Sequence, residues 1–403
     1  MPPAQRVWAI DALRGLALFG VLAINLDTEF RRTVFEQFLA PPPESAVDHM
    51  AATALSFAFE FKAISLFSML FGVGLAIQHE RLADHPRGGV LLIRRLLALL
   101  GFGLIHMFLI WNGDILTEYA LAGFVVLPAL FAPARLSLMG SVAFVFAYAA
   151  MPWIPLPFSF PDGGWLTHHA LEARAIYSSG SFLDILRLRI AEVPQIAKLH
   201  VYIFPRTLAL ILLGAWLWRS GAIREMGKRP AALLASGLLL TAAGLFLTAQ
   251  EKGYFEWHPD WAHASPALRF ALSLLNGMTP VMTAFGYAAL ILAASGYGRA
   301  RSALQWAVPI GRMAFSNYIA QSAILCLLFY GYGLGWMSNT GAAAGLGVAC
   351  GLFAIQAVIS RIWLRTHRFG PLEWLWRTLM YGQRQPWHRP AGSKRTASVV
   401  SRH

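Results

Sequence analysis

The sequence is dominated by apolar blocks, each about as long as a bilayer is thick, and that pattern confines the chain to a fold dissolved in lipid. A transmembrane helix needs about 20 largely apolar residues, and inside the hydrocarbon only helices and closed barrels satisfy every backbone polar group. Ten blocks meet the helical requirement: about Trp8 to Leu26, Phe57 to Ile77, Leu91 to Ile110, Leu116 to Leu130, Leu136 to Trp153, Val201 to Trp218, Pro230 to Leu247, Ala267 to Ala294, Ala307 to Tyr330 and Gly341 to Leu364. Apolar residues make up 57% of the 403 and charged residues 13%, against about 45–50% and 25% in soluble domains, which excludes a soluble enzyme of ordinary composition. The net charge of +13 therefore bears on orientation in the membrane, and nucleic acid is not the expected partner.

Orientation follows from Lys and Arg in the connections. With the N-terminus cytoplasmic, Arg81, Arg87, Arg94, Arg95, Arg135, Arg219, Arg224, Arg229, Arg299 and the stretch from Arg361 to Arg402 all fall inside, while the connections Asn112 to Ile115 and Gly331 to Thr340 carry no basic residue. The expected architecture is all-α and polytopic, with about ten transmembrane helices and both termini cytoplasmic. A single membrane domain spans 1–382. Its N-terminal half is about 1–155, and an outer amphipathic connection of about 155–198 leads to a C-terminal half of about 199–382. Leu183, Ile185, Leu186, Leu188 and Ile190, set among Asp184, Arg187, Arg189 and Glu192, predict a helix lying at the outer interface. Residues 383–403 read as a disordered basic tail. The first block is retained and not cleaved as a signal, because Asp11 and Arg14 interrupt its start. Cys326 and Cys350 lie in apolar runs without ligand spacing, so neither a disulfide nor a metal is implied.

Ionisable groups inside hydrocarbon cost on the order of 3 kcal/mol each, so they are the informative residues. Asp11 and Arg14 share a helix face, and Asn25 returns to it about 16 Å further along. Lys62 opens the second span, beside Glu60, and either snorkels or joins a site. Arg94 and Arg95 begin the third span, His106 lies within it, and Asp114 and Glu118 follow the next turn. His106 is the one histidine of twelve placed well inside a span. An imidazole titrates near pH 6.5 and can take and return protons at neutral pH, and Asp114, eight residues on, can reach back to orient it. A histidine bonded to a neighbouring helix is the plainer alternative. Arg312, Ser316, Asn317 and Gln321 form a polar stripe in the ninth span, and Asn276 to Pro280 predicts a break in the eighth.

Five stretches, IDALRGLALFG from Ile10, LFSMLFG from Leu66, WNGDILTEYA from Trp111, GRMAFSNYIAQ from Gly311 and RFGPLEWLWRTLMYG from Arg368, together resemble the YeiB-like family of bacterial inner-membrane proteins, whose C-terminal half is domain of unknown function 418. More distantly, the DxxRG opening is similar to the transmembrane acyltransferase superfamily, which moves acyl groups from cytoplasmic acyl-CoA to acceptors. That resemblance implies an acyl-CoA donor and a hydroxyl or amine acceptor, either a small molecule or lipid-linked. Arg14 matches the superfamily's arginine. The positions of its reactive histidine are Asn25 in one branch and Glu36 in the other, so the role passes to His106. Two active readings follow. In an acyltransferase, Arg14, Arg94 and Arg95 hold donor phosphates, His106 and Asp114 are catalytic, and Asp11, Asn25, Lys62, Glu118, Arg312, Asn317 and Gln321 contact substrate. In a transporter or flippase for a small polar or lipid-linked molecule, the same stripes line the route and His106 or Asp114 couples protons. A scaffold without chemistry is the third class.

Overall fold

The computed structural model describes residues 3–40, 44–255 and 265–389. Among them the chain is all-helical, its single extended pairing being an isolated antiparallel bridge between His367 and His388. In chain order the helices are α1 (Pro3–Asn25), α2 (Ala46–Phe59), α3 (Lys62–Arg81), α4 (Gly88–Ile105), α5 (Leu116–Phe131), α6 (Ala134–Ala150), α7 (Gly163–Ser179), α8 (Phe182–Arg219), α9 (Ala222–Met226), α10 (Pro230–Glu251), α11 (Pro266–Ala294), α12 (Gly298–Ala303), α13 (Ala307–Arg312), α14 (Ala314–Phe329), α15 (Ala342–Thr366) and α16 (Pro371–Tyr381). All ten apolar blocks are helical. Eight lie in helical stretches long and apolar enough to cross a membrane, and α5 and α14 are shorter apolar helices. Many large side chains of these helices point outward, among them Leu239, Phe246, Val358 and Ile362. That is the surface expected where the solvent is lipid, and the chain is a multi-pass membrane protein.

Lipid supplies no hydrophobic drive between helices, so close backbone approach must hold them. Two crossings show this. A Cβ on Gly15 would strike the carbonyl of Ala307, and one on Gly311 would strike that of Asp11, so α1 and α13 touch backbone to backbone. Gly72 and Gly214 do the same for α3 and α8, against Ile211 and Met69. The glycine of the DxxRG opening is therefore a packing residue.

Four expectations need correction. The stretch Asn276 to Pro280 does not break its span: α11 runs unbroken through Pro280. The ninth block is interrupted instead, divided at Met313 between α13 and α14, and so is the second, divided at Glu60 and Phe61 between α2 and α3. Residues 182–198 are not a separate interfacial helix but the first half of α8, which has 38 residues and starts at a capping box formed by Ser181 and Asp184; α7 lies before it. Arg189 and Glu192, expected to face water, are 0% and 1% exposed. Finally, residues 384–389 are docked. Trp387 packs at 4.6 Å on Trp374, and Arg368 N donates to the Trp387 carbonyl. The rest of the expected tail, 390–403, lies outside the described residues.

Candidate functional site

Two α-helices end in a single π turn, Leu26–Phe30 after α1 and His106–Ile110 after α4. A π turn is poorly bonded and recurs at functional sites because it re-aims the side chains beyond it. The two turns lie side by side, with Phe30 stacked on Trp111 at 4.9 Å. Between them they present Glu29 and His106. His106 is wholly buried, and its Nδ1–H donates to Asp114 Oδ1 at 2.8 Å. The other oxygen, Oδ2, accepts from the backbone N–H of Thr117 at 2.7 Å and so caps α5. With Nδ1 committed, the neutral ring carries its lone pair on Nε2, an atom buried without a partner among the described residues. Tyr318, on α14, packs 5.1 Å from the ring.

Around this pair, further carboxylates meet further donors. Glu192 on α8 accepts from Asn112 at 2.6 Å, from Tyr177 at 2.8 Å and from His169 at 2.9 Å. Glu118 accepts from His200 at 2.5 Å and from the Thr207 hydroxyl. Each buried carboxylate thus has the hydrogen bonds that make its burial tolerable. Glu29 is different. Its Oε2 is buried without a partner among the described residues and abuts Gly113, where a Cβ would collide with both Glu29 and the Trp111 ring. Gly113 is therefore required by close approach.

A second cluster lies at the other end of the bundle, about 16 Å along α4 from His106 on the helical rise. Arg14 pairs with Asp11 at 3.5 Å. Arg94 donates to the Leu379 carbonyl at 3.0 Å, and Arg312 to that of Arg368 at 3.4 Å. Arg95 lies 4.0 Å over the Trp376 ring, with its Nε buried and without an acceptor among the described residues, while Arg377 stacks at 4.5 Å on Phe369. The helix that gathers them, α16, is clamped by Glu373, which accepts from the N–H groups of Phe315 and Ser316 at 2.9 and 3.1 Å. Burial pushes the Glu373 carboxyl above the usual carboxylate range, against its hydrogen bonds from Ser316, and burial lowers Arg377.

The predicted residues separate accordingly. His106, Asp114 and Glu118 meet in the first cluster, with Asn25 one turn before Glu29. Asp11, Arg14, Arg94, Arg95 and Arg312 belong to the second cluster. Lys62 belongs to neither: it is 2% exposed and bonds the Ser56 carbonyl at 3.1 Å. Asn317 and Gln321 pair with α15, at 3.0 Å to Ser360 and 2.7 Å to Gln356, which is helix-to-helix adhesion. His106 is not alone within a span, since His200 lies in α8. Glu29, Glu192, His200 and Tyr177 were not singled out as site residues from sequence. The run Ile185, Arg189, Glu192 and Ile196 has helical spacing and was the available signal for the α8 face.

Residues 217–383 match the family model described as a protein of unknown function (DUF418). The uncharacterized protein YxaH of Bacillus subtilis is 34% identical over 95% of this chain and 96% of its own length. YeiB of Escherichia coli is 27% identical over 93% and 96%, and a 39.9 kDa protein of Bacillus acidopullulyticus is 27% identical over 95% and 96%.

Proposed function

Because this chain belongs to the DUF418 family and is related to YxaH and YeiB, we propose that it is a membrane acyltransferase working between its two polar clusters. The supporting observation is the His106–Asp114 pair: a buried imidazole, oriented through Nδ1, with an unpartnered Nε2. This is the arrangement of a general base, and such a group contributes about 10²–10⁴-fold to rate. His106 takes the proton of a hydroxyl or amine acceptor, and Asp114 stabilises the resulting imidazolium.

The arginine cluster suits an anionic donor. Arg95 has a buried N–H without an acceptor, and Arg14 and Arg377 add charge beside it, a set that fits phosphate groups. An acyl-CoA bound there supplies the activated acyl thioester. Arg14, Arg94, Arg95 and Arg377 hold its phosphates, and Trp376 fixes the plane of the Arg95 guanidinium. In this reading the chain crosses a bacterial inner membrane ten times, α13 and α14 together forming one crossing. Both termini are cytoplasmic, so the arginines meet cytoplasmic donor and the histidine cluster lies toward the opposite face.

The test is acyl transfer from radiolabelled acetyl-CoA by protein in proteoliposomes. Label released or transferred by wild type and lost in His106→Ala supports the reading; equal rates in the two overturn it. The Glu118–His200 pair within the bundle also suits a proton-coupled transporter. Substrate uptake driven by a proton gradient, with no thioester consumed, would favour that alternative.

A further inference from the structure

If His106 is the base, its isolation poses a problem. It is 0% exposed, so a proton it accepts has no direct way out. As the acceptor's O or N bonds to the acyl carbon, the thioester C–S bond breaks and the acceptor's proton passes to Nε2. The thiolate departs toward the arginine cluster, where it takes a proton from the aqueous side, so the first proton stays on His106 until another group removes it. Nδ1 and both Asp114 oxygens are already engaged. Glu192 and Glu118 are engaged through both of their oxygens as well.

Glu29 remains. It projects from the π turn beside the one bearing His106, its Oε2 rests against Gly113 next to Asp114, and that oxygen has no partner among the described residues. The charged groups that face it from α8 are His200 and Glu192; Asp114 lies on the turn and Tyr318 on α14. His200 differs from the other imidazoles of the cluster in access: its side chain is 33% exposed, against 0% for His106 and 11% for His169. We propose that Glu29, followed by the His200–Glu118 pair, forms the route by which His106 exchanges its proton with solvent. The proposal rests on the reading of His106 as base and assigns positions in sequence: sealed base, unpaired carboxylate, half-open imidazole.

The experiment compares wild type with Glu29→Gln, Glu29→Ala and Glu29→Asp in acetyl-CoA turnover between pH 5.5 and 9. Turnover is expected to fall at least tenfold in the Gln and Ala variants and to stay within a few fold in Asp. Added formate, a small proton carrier, should restore the Ala variant. Wild-type rates in the Gln variant, or a folded Ala variant that formate leaves slow, overturn the route. Failure of the underlying reading shows separately, as equal rates in wild type and His106→Ala. A readout independent of turnover is the infrared carboxyl band that Glu29→Gln removes. Its shift on transfer to D₂O should slow at least tenfold in His200→Gln, and an unchanged rate contradicts the route.

Discussion

The two polar ends of this bundle handle buried charge in opposite ways. At the histidine end, carboxylates are matched by imidazoles, an amide and hydroxyls, so that Asp114, Glu118 and Glu192 are saturated. Among the described residues, one nitrogen of His106 and one oxygen of Glu29 stay open there, as do Nε and Nη1 of the Arg189 guanidinium beside Tyr330 and the Thr117 hydroxyl. At the arginine end, guanidiniums outnumber carboxylates: Arg14 pairs with Asp11, while Arg94, Arg95, Arg312 and Arg377 are held by Trp376, Phe369 and backbone carbonyls, which cancel no charge. A saturated cluster with a few open atoms fixes geometry for chemistry. A cluster with surplus charge of one sign attracts a ligand of the other. In the proposed acyltransferase, this contrast would divide catalysis from capture along the length of the molecule.

The largest effect that would break this division is expected at His106. His106→Ala should lower acyl turnover by about 10²–10⁴-fold while leaving donor binding unchanged, as read by equilibrium binding of labelled acetyl-CoA. A comparable loss of binding would merge the two ends. Next, Arg95→Ala should raise the KM for acetyl-CoA by about tenfold, or about 1.4 kcal/mol, with kcat nearly intact. A kcat effect without a KM effect would move Arg95 out of the capture role.

Smaller effects sharpen the contrast with residues that only join helices. Gln321→Ala should destabilise the bundle by about 1 kcal/mol in thermal unfolding and leave turnover within twofold, although Gln321 lies on the same helix, α14, as Tyr318. The smallest expected effect is a pH slope. Glu373 binds its proton more tightly folded than unfolded, so its contribution to stability is full below the unfolded carboxylate value and is lost as pH rises through the folded one. Glu373→Gln should remove that component from the pH dependence of the melting temperature; a wild-type slope in the variant would assign the pH dependence elsewhere.

Much of the bundle could be read directly, because lipid imposes a length on each apolar block, and eight of the ten blocks lie in helical stretches of that length. The His106–Asp114 pair was legible too, since eight residues across one turn bring the side chains together. What escaped depended on where other helices place their faces. Glu29 lies three residues beyond the expected end of the first span, and it enters the cluster because a π turn prolongs α1. Glu192 and Arg189 looked interfacial because charges usually seek water, whereas α7 and the loop at Tyr330 enclose them. Tyr330 lies 4.8 Å from Tyr177 and beneath the Arg189 guanidinium at 5.3 Å. Pro280 suggested a break that α11 absorbs. The interruption at Met313 follows from tertiary packing, where Gly311 presses on α1 and Glu373 captures the first amides of α14.

The division of labour is tested most directly by sidedness. Proteoliposomes of defined orientation, given radiolabelled acetyl-CoA on one face only, should consume it when the arginine end faces the donor and be inert when the histidine end does. Equal consumption from both faces, or consumption from the histidine face alone, would contradict the account.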